Sequence, residues 1–345
     1  MMRMTVLASG SKGNSTVISS SRTRVLVDAG LSCRELLRRM ALADEDPATL
    51  DAILITHEHQ DHIAGLGVLA RRLRIPVFFT EPTHRAWVRM LTPRTTMTYA
   101  KWLDHVQREK EARAQSIATA STHDPAVEAA SIAHISAEAA ALDATLNPTG
   151  TIEANEDVED PDATLCDPET PRQKADPTHL PAVEYFRAGA NFCIGDIAIT
   201  PFTIPHDAAD PCGFVFESEG IRMALATDLG YMPPNVKAAL KRIDVLLLES
   251  NHDLEMLKDG PYPWSVKQRV LSRVGHLSNH ATAEFLQKDY DGRAAWIVLG
   301  HLSESNNAPE LARLAAEQAL VNHPTLLGNR ILLADQATPL EPICL

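Results

Sequence analysis

Residues 56–66 read THEHQDHIAGL, directly after the apolar run DAILIT (51–56). Three histidines and one aspartate fall within the six positions 57–62. A metal site needs deprotonated nitrogen or oxygen donors that converge from stiff backbone. His57 and His59 are two residues apart, so an extended segment points both to one side. Asp61 and His62 follow where the chain turns into the helix-type stretch IAGLGVLARRL (63–73), which lets them face a second point nearby. Four such donors fit two adjacent metal ions better than one. For a lone histidine the plainer reading is a capped polar loop, with Asp61 as the N-cap and the ring in solvent. The full His-x-His-x-Asp-His pattern behind a buried strand overrides it.

The rest of the chain suits an α/β protein. MTVLASG (4–10) and RVLVDAG (24–30) are strand-type runs ending in glycine, joined through the Gly/Ser-rich turn SGSKGNST (9–16). CRELLRRM (33–40) reads as a helix and IPVFFT (75–80) as the next strand. From Tyr185 onward, ANFCIGDIAITPFTIPH, GFVFES and GIRMALATD are three strand-like stretches, and IDVLLLES (243–250) and AAWIVLGH (294–301) are two buried strands. The helix-type TAEFLQKDY (282–290) separates the last pair. Apolar runs without alternation are expected when both faces of a sheet are covered, and strands alternating with helices indicate layering.

Residues 111–182 break this rhythm. They are rich in Ala, Thr, Asp, Glu and Pro, contain the acidic run EANEDVEDPD (153–162), and have no aromatic residue. Such a composition cannot offset its ordering entropy by burial, so a long disordered acidic insertion is expected within a single domain spanning 1–345, with a little helix around 126–142. Residues 108–184 hold 5 Lys/Arg against 16 Asp/Glu, so most of the net charge of −13 belongs to this segment. The overall acidity therefore does not exclude a phosphate-bearing substrate, because local fields decide binding. No apolar run approaches the length of a membrane span. The five cysteines are scattered and form no CxxC pair, which suits a reducing compartment. With no convincing signal peptide, a cytoplasmic location is expected.

A strand, then T-H-x-H-x-D-H, then a helix resembles the metallo-β-lactamase superfamily. That resemblance implies an αββα sandwich with a metal centre at the edge of its two sheets. It also implies three later ligands, for which the sequence has residues in the expected order. His206 in PFTIPHDAADP would join His57 and His59 on one ion. His301 in IVLGHLSESNN would join Asp61 and His62 on the other, and Asp228 in LATDLG would bridge both. An oxygen bridge favours a close metal pair, which suits phosphoester hydrolysis. β-Lactamases of this fold typically have Cys or Ser at the bridging position and are exported.

GHLSNHATAEF (275–285) is similar to an element of the tRNA 3′-processing endonucleases. More narrowly, SGSKGNST, VDAGLS, THEHQDHIAGLGVLARR, IPHDAADP, TDLGY, ESNHDLEML, YPWSVKQRVLSRVGHLSN and HLSESNN resemble, in that order, the YycJ/WalJ-type proteins. The resemblance covers about residues 1–107 and 184–310. It implies a metal-dependent exonuclease acting on DNA from the 5′ end. The expected activity is a di-metal phosphodiesterase, with a metal-bound hydroxide as nucleophile and zinc or manganese as the ions. Asp61 and His276 are the candidate catalytic side chains, His276 as a proton donor to the leaving oxygen or as a loop-holding group. Asn251 and His252, after a buried strand, are expected to orient a metal ligand. Ser9 and Asn14 lie in a turn whose backbone amides can meet a phosphate. Lys267, Arg269 and Arg273 read as a solvated helix face or as a track for a nucleic-acid backbone. Tyr262 and Trp264 are expected to pack, with base stacking as the alternative. The alternatives are hydrolysis of a small phosphodiester or thioester, RNA processing, and a non-catalytic partner protein whose acidic segment mimics nucleic acid. Gln60 has no assigned role.

Overall fold

The computed structural model describes residues 1–92, 176–321 and 328–345. The expected insertion at 111–182 and its helix lie outside them, apart from residues 176–182. Strands β1 (Arg3–Ala8), β2 (Ser15–Ser19), β3 (Arg24–Val27), β4 (Ala52–Leu54), β5 (Val77–Phe79) and β6 (Val183–Tyr185) form one sheet with β14 (Ile343–Cys344), in the order β14-β1-β2-β3-β4-β5-β6. The other contains β7 (Phe192–Ile194), β8 (Ile197–Thr203), β9 (Cys212–Ser218), β10 (Ile221–Ala226), β11 (Val245–Glu249), β12 (Trp296–Gly300) and β13 (Arg330–Leu333), and its order is β13-β12-β11-β10-β9-β8-β7.

The period of two along each strand builds the layers. Met4, Val6, Val25, Val27 and Leu54 from the first sheet meet Ile199, Phe214, Met223, Leu225 and Leu247 from the second in one buried cluster. The alternate residues face outward. On the first sheet Leu26, Ile53 and Ile55 pack with Leu36 and Met40 of α1 (Cys33–Leu42). The single turn α2 (Gln60–Ile63) leads into α3 (Leu66–Leu73), and Leu66 and Leu69 of α3 join that cluster with Trp87 of α4 (Glu81–Leu91). After the second sheet begins come α5 (Pro234–Ala239), α6 (Leu254–Asp259), α7 (Trp264–Val270), α8 (Asn279–Lys288) and α9 (Pro309–Leu320). Val236 of α5, Phe285 of α8 and Ala316 of α9 cover the outward Ala224, Leu246 and Leu248. The result is helix, sheet, sheet, helix, and it explains why 51–56 and 243–250 carry apolar residues on both strand faces. Among the described residues no helix is long and apolar enough to cross a membrane.

Two local differences from the sequence reading have physical causes. β2 begins at Ser15, inside the turn assigned to 9–16, because Val17 and Ile18 are fully buried and Thr16 pairs with both Val6 and Val27. Residues 176–182 are tied to the first sheet: Leu180 is buried, and Arg71 donates to the carbonyls of Pro177 and His179.

Pairing directions decide where the chemistry sits. β1, β3 and β4 run one way in the first sheet, and β8, β10, β11 and β12 share one direction in the second. Just beyond their ends lie Ser9, Asp28, His57, His206, Asp228, Asn251 and His301.

Candidate metal centre

Along this edge the side chains form overlapping groups whose donor atoms lie within 4.8 Å of one another: His57 with His59 and His206, His57 with His62 and Asp228, and Asp61 with His62 and His301. A further group joins Asp228, Glu249, His276 and His301. Nδ1 of His59 is 3.2 Å from Nε2 of His206. That is close to the spacing of about 3.3 Å for two donors sharing one tetrahedral ion at bonds of about 2.0–2.1 Å. Asp228 stands between the groups: Oδ2 is 3.3 Å from His62 Nε2, and Oδ1 is 3.9 Å from His206 Nε2 and 3.1 Å from His301 Nδ1. Asp61 Oδ2 lies 3.5 Å from His62 Nε2 and 3.6 Å from His301 Nε2.

Four of the imidazoles are fixed through a second nitrogen. Asp28 accepts from the Thr56 amide (2.9 Å), the Thr56 hydroxyl (2.8 Å) and His62 Nδ1 (2.7 Å). With its proton given to Asp28, the Thr56 oxygen accepts from His57 Nδ1 at 3.0 Å. His206 Nδ1 donates to the Gly275 carbonyl (3.2 Å), and His301 Nδ1 donates to Glu249 Oε1 (3.0 Å). Nε2 of His57, Nε2 of His301 and Oδ2 of Asp228 are buried and have no hydrogen-bond partner. Orphaned buried donors of this kind cost free energy unless a cation or water meets them. Neutral imidazoles with carboxylates suit a divalent ion, so the residues fit a metal pair.

Backbone strain marks the same edge. Asp28, Asp228 and His301 sit at φ of 61°, 62° and 55°, in the left-handed region, at a cost of about 1–3 kcal/mol each. Gly30 serves close approach instead, since a Cβ there would lie 1.7 Å from the Asp61 carbonyl oxygen. Only glycine lets the 28–30 turn close against the metal-binding segment.

Charge is balanced tightly. Burial opposes the Asp61 and Asp228 carboxylates, yet the facing histidines, His62 for Asp61 and His301 and His62 for Asp228, hold both well below the usual carboxylate range. Burial likewise opposes protonation of His62 and His301, but Asp228 above all, with Asp61, raises both well above an ordinary histidine. His57 goes the other way, lowered by burial and by His62. With no cation facing them, the protonated forms of His62 and His301 are favoured. Their stabilising contribution is complete below about pH 6.5 and disappears as pH rises through the raised folded values. Chelated protein is expected to melt at falling temperature above neutral pH, while metal-loaded protein does not follow that decline. Thermal melts with and without chelator between roughly pH 6 and 9 check this; parallel curves would refute it.

The other expected residues fare differently. Asn14 Nδ2 donates to Asp61 Oδ2 (3.1 Å) and Ser9 Oγ accepts from the His301 amide (2.8 Å), so both position site residues. Five amides of their turn are engaged within the protein. The amides of Ser9, Gly10, Lys12, Gly13 and Asn14 already donate to Asp335, Asn14, Gln336, Gly10 and Asp61. Asn251 Nδ2 donates to the His301 carbonyl at 2.8 Å. His252 does not: its ring is buried, neither nitrogen has a hydrogen-bond partner, and burial lowers its pKa to about 4. Lys267 is no backbone track, since it is buried and its Nζ donates to the Lys258 carbonyl (2.6 Å). Trp264 does not pack; it is 67 % exposed. Gln60 is exposed in α2. His276 lines the open side, 21 % exposed, its Nδ1 donating to Glu249 Oε1 at 2.7 Å and its ring 5.2 Å from His206 and 5.1 Å from His301.

Three residues escaped the sequence reading: Asp28, Thr56 and Glu249. Glu249 is fully buried and accepts four hydrogen bonds, from His276, His301 and the amides of Leu229 and Leu277. The available signal was a carboxylate closing an otherwise apolar strand, in RVLVD and in VLLLE.

Four layers with a histidine-carboxylate centre on the shared sheet edge define a metal-dependent hydrolase of the metallo-β-lactamase type. The metallo-beta-lactamase superfamily profile matches residues 8–116, and a beta-lactamase superfamily domain profile matches 145–301. The chain is 31% identical to exodeoxyribonuclease WalJ of Streptococcus pneumoniae, over 99% of this chain and 98% of that protein. It is 30% identical to exodeoxyribonuclease YycJ of Bacillus anthracis, over 92% and 89%. The metallo-β-lactamase fold protein YhfI of Bacillus subtilis shares the fold, with a TM-score of 0.55 at 12% identity over 99% of this chain and 100% of that one. The chain belongs to the WalJ/YycJ family of the metallo-β-lactamase superfamily.

Proposed function

We propose that the protein is a di-metal phosphodiesterase that removes nucleotides from the 5′ end of DNA. The carrying observation is the Asp228 carboxylate between two donor groups, beside the partly exposed His276–Glu249 pair. The relatives named exodeoxyribonucleases support the same substrate. In this reading His57, His59 and His206 hold one ion, Asp61, His62 and His301 the other, and Asp228 bridges them. Zinc and manganese both suit these donors. Two divalent ions held there would supply charge neutralisation for a phosphoryl group and activation of water near neutral pH.

The chain's own residues do the rest. Asp61, steadied by Asn14, faces the second group and helps orient the attacking water. His276 has Nδ1 committed to Glu249, which turns Nε2 toward the leaving oxygen as proton donor. The test is a panel of 5′-labelled and 3′-labelled DNA, RNA of the same sequence and a chromogenic phosphodiester, run on metal-analysed protein. Two ions per chain and release of 5′-labelled mononucleotides are expected. Cleavage of RNA or of the chromogenic ester alone would move the substrate class; no metal and no turnover would refute the proposal.

A further inference from the structure

One surface beside the centre has no explanation in the metal chemistry. Trp264 opens α7 at 67 % exposure, and Leu271 and Val274 in the turn after it are 52 % and 42 % exposed. A large aromatic side chain left in water carries a cost unless something covers it. The same segment is wired to the site. Arg269 Nε donates to Asp207 Oδ2 at 2.5 Å, beside His206, and the His276 amide donates to the Val270 carbonyl (3.0 Å). Arg273 lies 4.3 Å over the ring of Tyr231, three residues after Asp228. A Cβ on Gly230 would lie 2.2 Å from the Arg273 carbonyl, so these two loops close on each other. Among the described residues no carboxylate pairs with Arg273. Five residues of helix separate Trp264 from Arg269, about 7.5 Å along the axis.

An exposed aromatic on α7, with the unpaired Arg273 in the turn that follows the helix beside a phosphodiesterase centre, has the chemistry of a single-strand platform. Bases offer a π-face to Trp264, and phosphates offer charge to an arginine that lacks a carboxylate.

We propose that α7 and its following turn hold the unpaired strand of the DNA substrate, with Trp264 stacking on a base and Arg273, steadied by Tyr231, meeting a backbone phosphate. This rests on the DNA reading above and adds the residues that grip the strand. The experiment is steady-state kinetics of metal-loaded wild type, W264A, W264F and R273Q on a single-stranded oligodeoxynucleotide and on bis(4-nitrophenyl) phosphate, with light scattering on each. For W264A the oligodeoxynucleotide KM is expected to rise about tenfold with kcat kept, the small ester unaffected and W264F near wild type. R273Q is expected to raise the same KM and to flatten its salt dependence. An unchanged KM in W264A overturns the inference while leaving the DNA reading standing. The same holds if W264A only changes a dimer to a monomer, which would make the patch an interface between copies. Wild type that hydrolyses the small ester but not the oligodeoxynucleotide overturns the DNA reading and this inference with it.

Discussion

Exchanging Asp228 for asparagine is expected to lower kcat/KM by at least ~10³, the equivalent of about 4 kcal/mol of lost transition-state stabilisation. Asparagine is the informative replacement because φ at this residue is 62°. Asn and Asp both tolerate the left-handed region, whereas alanine adds roughly 1–2 kcal/mol of backbone strain and confuses stability with chemistry. What changes is the charge on the carboxylate that faces both donor groups: Oδ2 at 3.3 Å from His62, Oδ1 at 3.9 Å from His206. A neutral amide cannot compensate two divalent ions at short separation, so metal content should fall to one ion per chain or fewer. Elemental analysis, kcat/KM on DNA and far-UV circular dichroism of the same preparation check this together. A variant with two ions and activity within tenfold of wild type would remove Asp228 from the bridge.

How much of this could be read from the sequence depended on whether partners are neighbours in the chain. His57, His59, Asp61 and His62 stand in one segment, and the strand period followed by a helix turn sorts them into two directions without further information. His206, Asp228 and His301 are single residues at strand ends; a family resemblance, not local pattern, drew attention to them. Asp28 and Glu249 had neither help. Asp28 is defined by His62, 34 residues away, and Glu249 by His301, 52 residues away. Such pairings exist only after β3 lies beside β4 and β11 beside β12. The layers themselves were legible, since runs apolar on both strand faces demand covering on both sides. β2 was hidden because its buried Val17 and Ile18 are framed by serine and threonine, which read as turn. Lys267 and Trp264 show the converse limit. Lys267 and Arg269, read together as one basic face, stand two residues apart on the helix and so point to opposite sides: one is buried against Lys258 and the other exposed.

Strain and charge at the edge are linked. Three residues held in the left-handed region cost several kcal/mol together, and β3, β10 and β12 can support that cost because their neighbours in the sheets are buried on both faces. A positive φ redirects the chain after each strand. Loops leaving Asp28, Asp228 and His301 therefore turn toward the common edge, where their side chains meet His57 and His62.

Glu249→Gln is expected to be the most destabilising single change at the centre, although it alters one atom. Both carboxylate oxygens are in use: Oε1 accepts from His276 (2.7 Å) and His301 (3.0 Å), and Oε2 accepts from the amides of Leu229 (2.7 Å) and Leu277 (3.2 Å). Glutamine has one acceptor and one donor end. With its NH₂ toward Leu229 and Leu277 it faces two backbone N–H groups, turned the other way it forces His276 and His301 to change tautomer, and in both cases the charge that holds the histidines is gone. Burial works against this carboxylate, yet His276 and His301 keep its pKa at about 2, so it stays ionised at the centre. Breaking a buried pair from one side costs about 3–5 kcal/mol, which at this chain size lowers Tm by roughly 5 °C. Activity should fall too, because His276 loses the partner that directs Nε2 and His301 loses the bond that directs its donor atom. Glu249→Asp keeps the charge but shortens the reach, so it is expected to recover part of the stability and little of the turnover. Melting curves of the three proteins, each metal-loaded and chelated, separate the two effects. If the glutamine variant melts within about 1 °C of wild type, a shift worth under ~1 kcal/mol, Glu249 is not the carboxylate on which this edge depends.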